Sequence, residues 1–238
     1  MKTHYIHTDT VHNLKAPSEV VPILVKMLSP NSVVDVGCGT GTWLKVFHEY
    51  HNIDDLLGLD GSYVDKSQLV IEDKYFKATD LSNGFDIRRK FDLLLSLEVA
   101  EHLPKEAADK FIESLCKHSD NIIFSAAIPD QGGQNHINEQ WPEYWMKKFE
   151  KHGYYFHDVI RPLIWKNNKI DWWYRQNIFL VNKQKEPTPV YTSIIHPELY
   201  NQVCENFHDF RYNINQGKYG IKNALKILMN SILQKIKR

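Results

Sequence analysis

Three alternating glycines, Gly37-Cys38-Gly39-Thr40-Gly41, follow a β-branched run that contains Asp35 and precede a helix-like stretch opening Thr42-Trp43-Leu44. A strand that turns this sharply into a helix N-terminus presents bare backbone, and a cofactor can lie against it. A phosphate-cradling P-loop would need Gly-Lys-Ser/Thr after its second glycine, and the dinucleotide fingerprint wants glycine or alanine where Thr42 stands. Downstream, Asp60 closes a second strand-like segment, residues 54–61, where an acid accepts hydrogen bonds from both hydroxyls of a ribose. Asp80 ends a third segment, residues 75–82. Glu98, Glu101 and His102 follow an apolar run at 91–99, and His136 lies in the loop 129–139 beyond another strand-like run at 121–127. Carboxylates and imidazoles gathered this way can take the proton of a hydroxyl or hold a divalent ion. An oxygen-rich set with one or two imidazoles suits Mg2+ or Mn2+ better than Zn2+.

The elements that must position these residues alternate between strand and helix, the pattern of an α/β doubly wound, Rossmann-like parallel sheet with helices on both faces. Residues 17–28 carry Val20, Val21, Leu24, Val25 and Leu28 at helical period, with Pro17 in the first turn. Pro104 opens a second helix through about Lys117, with Ala108, Phe111, Ile112 and Leu115 along one face. The E-x-x-E-H spacing puts Glu98 and either Glu101 or His102 on one face of a first helical turn. A further helix is predicted near 139–152, then strands at 154–160 and 175–181.

The run Asp35-Val36-Gly37-Cys38-Gly39-Thr40-Gly41, together with Asp60, Asp80 and Glu98 to His102 in order at four strand ends, resembles class I S-adenosylmethionine-dependent methyltransferases. The resemblance spans residues 13–182 and is nearest the branch that O-methylates sugars and other small hydroxylated metabolites. It implies a methyltransferase sheet whose last two strands pair antiparallel at the edge. It implies S-adenosyl-L-methionine held by Asp35, Gly37, Cys38, Gly39, Gly41, Asp60, Gly61, Asp80, Leu81, Ser96 and Leu97, with Asp80 toward the adenine amino group. His102 and His136 are the candidate bases. Glu98, Glu101, His102 and His136 are also the candidate metal set, similar to that of small-RNA 2′-O-methyltransferases and ubiquinone-pathway O-methyltransferases. The implied reaction is methyl transfer to a hydroxyl of a sugar or sugar-derived intermediate of surface-glycan biosynthesis. The competing readings are RNA 2′-O-methylation, N-methylation of an amino sugar, and a non-catalytic binding subunit.

With 29 Lys+Arg against 29 Asp+Glu, no global field recruits DNA or RNA, so the expected partner is a small acceptor, a nucleotide-linked or glycan sugar. Cys38, Cys116 and Cys204 have no metal-type spacing and make no complete disulfide set, and no run reaches the roughly 18 apolar residues of a membrane span; a cytoplasmic enzyme is expected. Trp141, Trp145 and the pair Trp172-Trp173 are the aromatic candidates for acceptor contact. His4, His7 and His12 read as part of a lid, with Lys15 beside it. The polar, proline-punctuated stretch 183–189 separates a methyltransferase domain, 1–183, from a C-terminal helical extension, 184–238. From Asn215 on there are six Lys/Arg and no Asp/Glu, with Ile221, Leu225, Leu228, Ile232 and Ile236 at helical spacing. Such a helix suits docking on its own domain, homodimer packing or weak membrane association.

Overall fold

The computed structural model describes residues 13–185, 194–218 and 220–236. The proposed lid histidines His4, His7 and His12 lie outside them. The chain divides into two compact units, Met1–His196 and Pro197–Arg238.

In the first unit α1 (Lys15–Leu28), β1 (Ser32–Val36), α2 (Thr42–His51), β2 (Asp55–Asp60), β3 (Phe76–Ala78) and β4 (Leu93–Leu97) come first. They are followed by α3 (Ala108–His118), β5 (Asn121–Ser125), α4 (Pro142–Glu150), β6 (Tyr155–His157), α5 (Arg161–Ile164), α6 (Trp172–Asn177) and β7 (Phe179–Asn182). The seven strands form one sheet in the order β3-β2-β1-β4-β5-β7-β6. The first five are parallel, and β7 runs antiparallel to both β5 and β6. This is the expected Rossmann-like architecture. Its strand order reverses between β1 and β4, where open α/β sheets leave a crevice at the carboxyl ends.

Strand alternation builds two cores. Val34 and Val36 point to the face covered by Phe111, Ile112 and Leu115 of α3 and by Trp145 and Phe149 of α4. Val33 points to the other, with Val20 and Leu24 of α1, Leu44 and Phe47 of α2 and Tyr174 of α6. Because β1 is buried on both faces, it is mostly apolar, with Ser32 at its start and Asp35 as its one charged residue.

Several boundaries differ from the sequence reading. The helix expected from residue 139 begins at Pro142, because the Glu139 carboxylate is held by the preceding loop, accepting from the Asp130 and Gly132 N–H groups. The strand expected at 175–181 begins at Phe179. Residues 175–177 are helical instead, in a turn opened by Asp171 whose carbonyl accepts from the Arg175 N–H. The strand at 154–160 ends at His157, and buried Arg161 then binds both carboxylate oxygens of Asp158 and the Gln176 carbonyl. Residues 194–196 remain with this unit: Gln176 donates to the Ile194 carbonyl and accepts from the His196 N–H. The second unit holds α7 (Pro197–Asn215) and α8 (Ile221–Ile236). No described helix is long and apolar enough to cross a membrane.

Candidate active site

The crevice at the carboxyl ends of β1 and β4 is lined by Asp35, Gly37, Cys38 and Leu97 from the anticipated set. It is also lined by Asn13, Ala16, Pro17, Thr42, Trp43, Asp171 and Tyr174. Gly37 has φ +87°, and a Cβ there would fall into Val99, so only glycine lets β1 turn against the segment after β4. The Gly39 N–H donates to Asp60 Oδ2 at 2.8 Å, so the loop and the acid at the end of β2 form one unit. Asp60 Oδ1 accepts from the Gly61 N–H at 2.6 Å and from the Tyr63 hydroxyl at 2.8 Å, and the Tyr63 ring covers Gly61. Burial, reinforced by the negative charge of Asp60, pushes the Asp35 carboxyl up to about 8.

Asp80 lies two residues past β3 and not at its end. It caps a 3-10 turn over Leu81–Asn83, its carboxylate accepting from the Ser82 N–H and hydroxyl and from the Asn83 amide. Leu81 and Ser96 are buried, the latter fully. Lys15 is exposed, and its charge acts on Asp171, whose carboxyl is raised chiefly by burial.

Across the crevice, β4 is followed by Glu98, which takes φ +55° and donates its N–H to the Ser125 carbonyl at 3.1 Å and hydroxyl oxygen at 3.0 Å. That left-handed step takes Glu98 out of the turn that follows, a 3-10 turn over Ala100–His102. The expected shared helical face does not form. The Glu98 carboxylate is instead held by two carboxamides, Gln131 Nε2 at 2.8 Å and Asn177 Nδ2 at 3.1 Å, while Asn177 also donates to Gln131 Oε1 at 2.8 Å.

Three of the four anticipated metal-set residues come together. Glu101, His102 and His136 each offer a ligand atom within 4.8 Å of the others. The His136 loop is docked here because the Glu101 carbonyl accepts from the Ile137 and Asn138 N–H groups at 2.9 and 3.0 Å. The two imidazoles meet edge to face, centroids 4.8 Å apart, and the His136 ring packs on Gly133, where a Cβ would clash. His136 Nδ1 lies 2.9 Å from Glu139 Oε1. A carboxylate only accepts, so Nδ1 carries a hydrogen, and in the neutral ring Nε2 is the nitrogen with the lone pair. Glu101 is fully buried, and neither carboxylate oxygen has a hydrogen-bond partner of ordinary geometry among the described residues. Burial, then the charge of Glu98, raises its carboxyl well above the usual range. Burial also lowers His102 to about 4, with the charge of His136 adding to it, so its ring is neutral across the physiological range.

The aromatic expectations divide. Trp145 is 1% exposed, packed on Phe124 in the core beneath the sheet, and cannot reach an acceptor. Trp141 is 41% exposed, and Trp172 and Trp173 are partly buried. The residues that the sequence reading did not single out are Trp43, Asp171, Tyr174, Gln131, Asn177 and Glu139. For Trp43 a signal existed, since it sits two residues beyond Gly41.

The sequence matches the family of methyltransferase domains over residues 12–167. The chain belongs to that family, and it is an S-adenosylmethionine-dependent methyltransferase. No curated protein matches the sequence. Among solved structures it is similar to DesVI of Streptomyces venezuelae, at 13% identity and TM-score 0.56 over 76% of this chain and 100% of that one. It is also similar to the sugar N-methyltransferase KedS8 of a Streptoalloteichus species, at 11% identity and TM-score 0.56 over 78% and 98% of the two chains. A third, an S-adenosylmethionine-dependent methyltransferase of Clostridium acetobutylicum, has 15% identity and TM-score 0.53 over 73% and 93%. At these identities the shared property is the fold.

Proposed function

We propose that the protein transfers a methyl group to a hydroxyl of a small acceptor, a sugar or sugar-derived intermediate of surface-glycan biosynthesis presented as a nucleotide-linked or glycan sugar. The observation that carries this is the Glu139–His136 pair beside His102 and Glu101. An alcohol is a poor nucleophile until its proton has somewhere to go, whereas a neutral amine attacks through a lone pair it already has. A carboxylate-oriented imidazole is therefore a device for a hydroxyl acceptor. KedS8, a sugar N-methyltransferase with this fold, supports a sugar as the acceptor, while the choice of oxygen rests on the imidazole–carboxylate pair.

When bound, S-adenosylmethionine supplies a methyl group on a positively charged sulfur, which keeps the bonding electrons as the methyl leaves. Asp60 would hold the ribose hydroxyls, and Asp80 and Leu81 would border the adenine. Asp35, Gly37, Cys38, Gly39, Gly41, Gly61, Ser96 and Leu97 complete the cradle, and Asp171 and Tyr174 would close it from α6. The acceptor oxygen forms its bond to the methyl carbon while His136 Nε2 takes the hydroxyl proton. His102 packs against that ring and serves as the alternative base.

A second reading is favoured by the fully buried carboxylate of Glu101, which, among the described residues, only the backbone of Glu101 and Ala127 approaches as a donor. With His102 and His136 it fits a divalent cation such as Mg2+ or Mn2+, which would supply Lewis-acid activation of the acceptor oxygen. Glu98, held by Gln131 and Asn177, would border this set and accept from the acceptor. Methyl transfer over a panel of nucleotide-activated sugars, with and without chelator, decides between the two. A proton-accepting His136 leaves activity chelator-resistant, and His136→Ala lowers turnover by about 10²–10⁴ with cofactor affinity near wild type. Loss with chelator and return with Mg2+ or Mn2+ assigns the cation instead. Full chelator-resistant activity in both His102→Ala and His136→Ala overturns both.

A further inference from the structure

The last helix of the second unit is amphipathic. In α8, Ile221 is 82% exposed, and Leu225, Leu228, Met229, Ile232 and Leu233 are each about half exposed. At roughly 100° per residue, 221, 225, 228 and 232 fall within one narrow stripe, and Met229 and Leu233 widen it on one side. Lys222 and Lys226 fall on that widened side, at the boundary between the apolar stripe and the polar face of Asn223 and Asn230. Ile227 alone lies on the opposite face. No Asp or Glu occurs after Asp209, while Arg211, Lys218, Lys222, Lys226, Lys235, Lys237 and Arg238 do.

We propose that α8 lies flat on an anionic lipid surface, its leucine-isoleucine stripe in the acyl boundary and its lysines at the headgroups. Two features favour this occupant. A lysine at the edge of an apolar stripe can bury its methylene stem and keep its ammonium among phosphates. A second copy of α8 packed on the same face would bring Lys222 and Lys226 against like charges, with no acid on either α8 to pair with them. On a bilayer the helix lies along the surface and does not span it: 16 residues rise about 24 Å, less than the roughly 30 Å hydrocarbon core. The binding is reversible and salt-sensitive, as a single interfacial helix gives. It would hold the enzyme at a surface while its catalytic unit acts, and it does not depend on which acceptor is methylated.

The test is sedimentation of the full-length protein with vesicles of phosphatidylcholine alone or mixed with phosphatidylglycerol. Binding to the mixed vesicles, little binding to the neutral ones, and release at high salt are expected. Lys222→Gln with Lys226→Gln should weaken partition about 30-fold, near fivefold per lysine. Leu225→Glu with Leu228→Glu should abolish it while S-adenosylhomocysteine binding stays intact, which shows that the catalytic unit is folded. Equal binding to neutral and anionic vesicles, or none to either, overturns the proposal. So does a concentration-dependent dimer that Leu228→Glu dissolves in a protein that ignores vesicles, since a second copy would then cover the face.

Discussion

Replacing Asp35 by asparagine should change how stability depends on pH, and the size of the change follows from the site. Asp35 is 2% exposed at the centre of a parallel strand, and burial together with the Asp60 charge holds its carboxyl at about 8 against a reference of 3.8. Between those two values the folded protein carries a proton that the unfolded chain has lost. The stabilisation from Asp35 is therefore complete below about pH 4, declines as pH rises, and is gone above about pH 8. Each pH unit in that window is worth about 1.4 kcal/mol for one proton. The substituted carboxamide cannot ionise but has nearly the same shape, so subtracting the two proteins cancels the titrations of groups that do not act on Asp35. From pH 6 to pH 8 the Asp35→Asn variant should gain about 2–3 kcal/mol on the wild type, and nothing further above pH 9. Urea unfolding at constant ionic strength without cofactor measures this. Parallel stability curves, or a gap that narrows as pH rises, would refute the reasoning that Asp35 is kept protonated by its surroundings.

Two further substitutions probe the same crevice. Asp60→Ala should weaken S-adenosylhomocysteine binding about tenfold to several hundredfold by calorimetry without unfolding the protein, because charge-assisted bonds of about 1.5–3 kcal/mol each are lost; an unchanged dissociation constant would show that β2 does not present the ribose acid. Tyr63→Phe should tighten it about three- to tenfold, since the Tyr63 hydroxyl occupies Asp60 Oδ1, the same oxygen a ribose hydroxyl needs; weaker binding in this variant would mean that the phenol helps to hold the cofactor.

What can be read from the sequence is what depends on near neighbours. The glycine turn, the acid at the end of β2 and the apolar helical stripes each follow from a spacing of a few residues, and the parallel sheet follows from their alternation. What escapes such a reading depends on contacts between distant residues. Asn177 and Glu98 are 79 positions apart and Gln131 and Glu98 are 33, so no local period reports that these three side chains bind one another. The E-x-x-E-H spacing fits a helical face for Glu98. A single left-handed residue defeats that inference, and its cause is the pull of Ser125 on the Glu98 N–H from the neighbouring strand. Trp145 follows the His136 loop, which makes it a candidate contact by position alone. Helix phase puts it on the α4 face that packs against Phe124, and Phe149 four residues on is the sequence signal for that face.

Helix α6 ties these observations together. Tyr174 and Asn177 are three residues apart on it, yet one lines the cofactor crevice and the other holds the Glu98 carboxylate at the acceptor side. Tyr174 meets Trp43 of α2 edge to face, with centroids 5.4 Å apart, so the same six-residue element touches the helix that follows the glycine loop. Its hydroxyl is pushed above the ordinary tyrosine range by burial and then by the charge of Glu98, which places it within the electrostatic reach of that carboxylate. A strand at residues 175–177, as alternation suggested, would have sent successive side chains to opposite faces of the sheet. The helical turn sets them on adjoining sides of one rigid element. Methyl transfer needs donor and acceptor aligned to within a fraction of an ångström, and alignment alone supplies up to about 7–11 kcal/mol of rate enhancement. An element that contacts both halves of the crevice fixes their separation, and this short helix does so where alternation had suggested the start of β7.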